Sequence, residues 1–315
     1  MMSIEWSESG SLPERVVLIS DLQGRLGEVR RRIEQRLDEL VPPVNCHPEK
    51  LHRAMRYSLF AGGKRIRPTL TVQVAQDFGA PVEAVLDVAC AIEMVHTASL
   101  ILDDLPCMDD AALRRGQAAN HRKFGEDTAV LAATALLNRA FGVVAESEAV
   151  EPSIRLDLVR LLSDAIGSDG IIAGQFLDLH SEWRRGSDVL GLTEMYAQKT
   201  GALFVAAVEA GARVAAVDDS WVRAVREYAM NLGLAFQILD DLLDARGNQH
   251  EIGKDTGQDD HKVTVVSRLG VDEAQTEVRR YMDSAASALE PLGESAIPLI
   301  DLARSYTEPT MERVL

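Results

Sequence analysis

Cysteine, aromatic residues and positive charge are all in short supply in this chain of 315 residues. Its three cysteines, Cys46, Cys90 and Cys107, have neither paired nor metal-binding spacing. That argues against a disulfide framework or a zinc site and suits free thiols in a reducing cytoplasm. Lysine and arginine total 33 against 49 acidic residues, for a net charge of -16. No broad basic surface can then dominate, which disfavours nucleic acid as a partner. An anionic substrate would need a local nest of Lys, Arg and metal. No uninterrupted apolar run approaches the roughly 20 residues that cross a bilayer, and the acidic N-terminus has no signal-peptide core. The expectation is a soluble, cytoplasmic protein with no membrane span.

Strand-like alternation is also nearly absent. With 46% hydrophobic and only 5% aromatic residues, the composition favours helix over strand and supplies a large core. A helical apolar period runs from residue 13 to about 41 and stops at Pro42-Pro43. Similar patterns predict helices over 48–60, 68–78, 81–104, 128–148, 152–166, 171–182, 192–210, 221–244, 273–289 and 297–306. Neither a repeat nor a linker divides the chain. The reading is a flexible tail over residues 1–11, then a single all-α domain over 12–315, a bundle of long helices around a central apolar cavity.

What the chain does have is aspartate in unusual company. Asp103-Asp104-Leu-Pro-Cys-Met-Asp109 and Asp240-Asp241-Leu-Leu-Asp244 interrupt otherwise apolar helical sequence. Desolvating a carboxylate is expensive, so two such runs suggest that something positive sits between them. Magnesium binds through one or two carboxylates plus substrate phosphates, and the pattern therefore points to a magnesium–diphosphate site. Gln237, Asp240 and Asp244, at i, i+3 and i+7, share one helix face. A solvated acidic face would look similar in isolation, but the surrounding leucines and isoleucine leave little of this helix polar. His96 lies seven residues before Asp103 on nearly the same face, and Pro106 stops Asp109 from continuing that helix.

Basic elements accompany the acids. Arg114 and Arg115 directly follow the first cluster, either as a structural salt-bridge loop or as a bidentate grip on phosphate. Lys254 and Lys262 follow the second. Gly62-Gly63-Lys64-Arg65-Ile66-Arg67 lacks P-loop spacing, yet offers backbone N–H groups and three cations in a tight turn, a fair anion cradle. Gln175-Phe-Leu-Asp178 and Lys199-Thr200-Gly201 place polar groups amid apolar helix, where the ordinary reading is a satisfied core hydrogen bond.

Jointly, GGKRIRP at 62–68, the first aspartate cluster with its LRRG extension, GQFLDL at 174–179, KTG at 199–201 and DDLLD at 240–244 are far more specific. Over about residues 48–270 they resemble the trans-isoprenyl diphosphate synthase (polyprenyl synthase) family, most of all its bacterial short-chain members. The resemblance implies head-to-tail condensation of isopentenyl diphosphate with an allylic diphosphate (dimethylallyl, geranyl or farnesyl). It implies Mg2+, three ions per site, held by Asp103, Asp104, Asp109, Asp240 and Asp244. The catalytic set would be Asp103, Asp109 and Asp240 with Lys199, Thr200 and Gln237. Arg114, Lys199, Lys254 and Lys262 would take the allylic diphosphate. Gly63, Lys64, Arg67, His96 and Arg115 would take isopentenyl diphosphate. In the family an aromatic residue at Ala98 or Ser99 blocks elongation at the farnesyl stage, so small side chains imply a geranylgeranyl (C20) product, with farnesyl (C15) as the alternative. A homodimer is also implied. A terpene cyclase would need no second diphosphate pocket, and a non-catalytic synthase subunit usually lacks one aspartate motif. Two departures stand out: Lys262 is kept while its neighbours differ, and residues 307–315 match no family element.

Overall fold

Prolines and glycines set most helix boundaries in the computed structural model, which describes residues 12–246 and 263–314. The expected tail over residues 1–11 falls outside that range. The chain runs α1 (Leu12–Leu40), α2 (Glu49–Leu59), α3 (Ile66–Asp77) and α4 (Val82–Asp103), then a small hairpin of β1 (Leu113–Arg114) and β2 (Gln117–Ala118). It continues through α5 (Asn120–Phe124), α6 (Glu126–Glu146), α7 (Pro152–Ile166), α8 (Ile171–Leu179), α9 (Ser181–Gly186) and α10 (Val189–Tyr196). A π-helical turn, Ala197–Gly201, leads into α11 (Ala202–Val214) and α12 (Asp219–Arg246). Finally come α13 (Val265–Leu269), α14 (Val271–Ala288), a 3-10 turn and α15 (Ile297–Val314). The all-α expectation holds.

The core explains this order. Helix α11 is buried continuously from Leu203 to Ala212, apolar but for Glu209, and serves two clusters at once. Leu203, Ala206 and Ala207 pack with α4 and α7, in a cluster that includes Ile92, Met94 and Leu158. Phe204, Val208 and Ala212 pack with α3 and α12, through Leu70, Tyr228 and Leu232. At Gly211 a Cβ would stand 2.4 Å from the Thr71 carbonyl, so α3 and α11 meet backbone to backbone. Helices α4 and α6 are long and apolar enough to cross a membrane by composition. In α4 that apolarity is used inward, because Val85, Ala89, Ile92, Ala98 and Ile101 are all buried.

Four expectations shift. The predicted helix 171–182 breaks at His180, whose backbone leaves the helical region. The predicted helix 192–210 is interrupted by the π turn. The last helix runs on through Pro309 to Val314. The hairpin was not foreseen: its two-residue turn takes positive φ at both Arg115 (53°) and Gly116 (74°), the combination that suits the twist of a tight hairpin.

Candidate active site

A cavity of about 570 Å³ is walled by α3, α4, the hairpin, α8, the π turn, α11, α12 and the end of α15. Both aspartate clusters line it. On the first side, α4 stops at Asp103, and the loop beyond Pro106 turns back so that the Asp109 amide donates to the Asp103 carbonyl at 2.9 Å. Asp103 and Asp109 both reach the cavity wall. On the other side, unbroken α12 presents Gln237, Asp240, Asp241 and Asp244 to the cavity.

The second aspartate of each pair is tied to protein. Asp104 is 2% exposed and accepts from Arg114 Nε at 2.9 Å. It is absent from the cavity lining, so its expected place among the metal ligands competes with this ion pair. Asp241 accepts from the Tyr196 hydroxyl and from Gln237 Nε2 at 3.1 Å. Tyr196 in turn accepts from the Val265 amide.

The donor set fits magnesium. Among the described residues no three acidic, His or Cys side chains form a ready-made cage. Two separated pairs of carboxylates on facing walls are nevertheless what an ion completed by substrate phosphates requires. Burial raises the Asp103 carboxyl to about 6, opposed by Lys199 and reinforced by neighbouring Asp109. Crowded, desolvated carboxylates of this kind are relieved by a cation.

The π turn explains how Lys199 and Thr200 reach the same space. Added Cβ atoms at Gly174, Gly201 and Gly233 would come within 2.2, 2.7 and 2.9 Å of Lys199 N, Met230 Sδ and Gly201 Cα. Helix α8, the π turn and α12 therefore cross at contact distances that only glycine permits. Lys199 Nζ bonds Asp178 at 2.6 Å, and Thr200 Oγ1 donates to Gln237 Oε1 at 2.6 Å. Asp178 thus has the satisfied bond expected of it, while both amide atoms of Gln175 are buried without a partner.

The third wall is cationic. Of the three cations in the 62–67 turn, only two face the cavity. Arg65 turns inward, 3% exposed, to bond Glu34 at 2.6 Å and Glu93 at 2.5 Å. Arg67 lies over the Phe204 ring and beside His96 Nε2 at 3.5 Å. Burial lowers the Arg67 guanidinium to about 10 and, with Arg67 and Arg115 nearby, pushes the His96 imidazole well below its ordinary value. Burial also lowers Lys64, against the pull of Asp240. Gly63, at φ 121°, leaves no room for a Cβ, which would meet the Arg115 guanidinium at 2.7 Å.

The remaining expectations divide. Ser99 lines the cavity, whereas Ala98 is 1% exposed inside the α4 core and does not. Lys254 and Lys262 lie outside the described residues. Sequence reasoning missed Tyr196, Phe204, Phe236, Thr310 and Arg313, all of which line the cavity. The aromatic pair stacks at 5.4 Å between centroids. Tyr196 could have been suspected from its position one turn before Lys199.

The chain matches the family model described as Polyprenyl synthetase over residues 48–291. It is 42% identical over 260 residues to a geranylgeranyl diphosphate synthase of Pantoea ananas, spanning 82% of this chain and 84% of that one. It is 41% identical over 267 residues to a farnesyl diphosphate synthase of Geobacillus stearothermophilus, spanning 82% and 88%. The solved structure of a geranyltransferase from Helicobacter pylori, complexed with magnesium and isoprenyl diphosphate, is similar at TM-score 0.79 and 28% identity, covering 98% of this chain and 99% of that one.

Proposed function

The chain belongs to the polyprenyl synthetase family, and from that premise we propose that it condenses isopentenyl diphosphate with an allylic diphosphate to make a short-chain all-trans prenyl diphosphate, geranylgeranyl diphosphate (C20). The observation that carries the reading is a single cavity with facing carboxylate walls and a separate cationic wall. That arrangement accommodates two diphosphates with different fates.

Asp103 and Asp109 on one wall and Asp240 and Asp244 on the other would hold Mg2+, which would supply positive charge against a diphosphate leaving group. Lys199 and Arg114 add fixed cations beside it. The Thr200 hydroxyl oxygen, oriented by its own donation to Gln237, is a dipole aimed at positive charge on the allylic fragment. Lys64, Arg67, Arg115 and a neutral His96 hold the second diphosphate away from the carboxylates. Its carbon–oxygen bond therefore stays intact while its double bond attacks the allylic cation. Loss of one proton completes the product, one isoprene unit longer.

The C20 reading rests on Ser99. A small side chain one turn before Asp103 leaves the cavity wall open for a growing tail, while Phe204 and Phe236 shape the opposite side. Relatives of comparable identity carry both the C20 and the C15 name, so farnesyl diphosphate is the second reading. A cytoplasmic homodimer is part of the same proposal, on the family resemblance alone.

The test is incubation with magnesium, isopentenyl diphosphate and each of the three allylic starters, followed by dephosphorylation and chromatographic sizing of the alcohols. A dominant C20 alcohol supports the proposal, and a C15 end product selects the alternative. No elongation from any starter rejects the transferase reading.

A further inference from the structure

Among the described residues, only Arg67 and Gln175 both line the cavity and carry buried polar side-chain atoms without a protein partner. Arg67 is a cation, and an anionic substrate answers it. Gln175 is neutral, and both its amide oxygen and its amide nitrogen lack partners. Leaving two buried amide atoms unpaired is costly, so the group needs an account whichever way the amide is turned.

Its place on α8 supplies one. Ile171, Gln175 and Asp178 fall at i, i+4 and i+7 and all line the cavity. Asp178 is bonded to Lys199 at the ionic end, and Ile171 is apolar. Gln175 therefore stands on the cavity wall between an ion pair and an apolar side chain, a place that suits an allylic carbon–oxygen bond. The neighbouring polar groups are committed elsewhere: Thr200 donates to Gln237, and Gln237 donates to Asp241. Gly174 presses α8 against the Lys199 backbone, which fixes the backbone that carries Gln175 before substrate arrives.

We propose that Gln175 is a further catalytic residue, its amide oxygen facing the carbon that becomes cationic and its N–H donating to the departing diphosphate. As the carbon–oxygen bond breaks, the electron pair leaves with the diphosphate. One preorganised dipole then meets both separating charges. This inference rests on the prenyl-transfer reading above.

Gln175→Leu and the longer Gln175→Met test it. The expected result is a fall in kcat of about 10²-fold, with KM for isopentenyl diphosphate unchanged and the melting temperature raised, because an unpaired buried amide has been removed. An allylic diphosphate analogue bearing an ammonium centre at the reacting carbon should lose at least about tenfold in affinity relative to its neutral isostere. Unchanged kcat, an unchanged affinity ratio, or a lowered melting temperature in both variants would overturn the proposal, the last by revealing a structural amide. Failure of the wild-type protein to elongate any starter is a separate outcome; it removes the underlying reading and this inference with it.

Discussion

The two aspartate clusters reach one cavity from differently built supports. The first ends a helix and is turned back by a loop and hairpin that bring their own arginines. The second rides an uninterrupted α12. Each contains an adjacent aspartate pair, and consecutive helix positions point about 100° apart. On the first side Asp103 faces the cavity while Asp104 turns away as a strut; on the second, Asp240 and Asp241 both line the cavity, and Asp241 is also tied to protein. Among the described residues, Asp104 is held by a guanidinium, whereas Asp241 accepts from a phenol and an amide. Removing the strut should then cost more on the first side than on the second, while removing the cavity-facing acids should cost turnover on both sides alike.

The largest expected effect is on the cavity-facing acids. Asp103→Asn and Asp240→Asn should each lower steady-state turnover by about 10³-fold or more, with the circular dichroism of a folded helical protein. Near-normal rates in both would break the symmetry between the two walls. Next comes Ser99→Tyr, which places an aromatic ring on the wall beneath Asp103 and should shorten the product, read by chromatography of the alcohols. Ala98→Tyr, by contrast, should mainly lose stability by overpacking the α4 core, about 2 kcal/mol.

That contrast bears on how much was legible. The helical period already separates the two positions: four residues before Asp103 is close to one full turn, five is about 140° around. The shared face of Gln237, Asp240 and Asp244 was readable in the same way, as were most helix boundaries. Arg65 and Arg67 look equivalent in the sequence. Which of them turns inward is decided by Glu34 and Glu93, which arrive from other helices. The π turn was hidden because it follows from three glycine contacts between separate elements, not from a local pattern. The hairpin hinges on positive φ at Arg115, a conformation few non-glycine residues advertise. Arg313 entered the cavity only because α15 continues through Pro309.

The strut comparison gives the next predictions. Asp104→Asn removes the charge paired with the partly exposed Arg114 but also relieves a desolvated carboxyl, and should cost about 2 kcal/mol, measured by denaturant unfolding. Asp77 supplies a control, an aspartate away from the site whose Oδ2 is buried without a partner. Desolvation raises its carboxyl to about 7. A folded pKa above the unfolded one means the stability linked to this group is full below about pH 4 and is lost as pH rises through 7. Asp77→Asn should therefore stabilise the protein by about 2 kcal/mol at pH 8, with no gain below pH 4. A gain that grew at low pH would contradict the desolvation argument for every buried aspartate discussed above.

The smallest effect should fall on the second strut. Tyr196→Phe removes the hydroxyl that donates to Asp241 and accepts from the Val265 amide, but leaves the ring in the core. Gln237 still donates to Asp241, so the loss should be near 1 kcal/mol by denaturant unfolding. Because Gln237 also accepts from Thr200, a looser Asp241 should reach the Thr200 dipole through Gln237. A several-fold loss of kcat with little change in KM would follow. If Tyr196→Phe were instead as costly to stability as Asp104→Asn, the distinction between the guanidinium and the phenol as supports would fail, and the two clusters would have to be treated as equally supported.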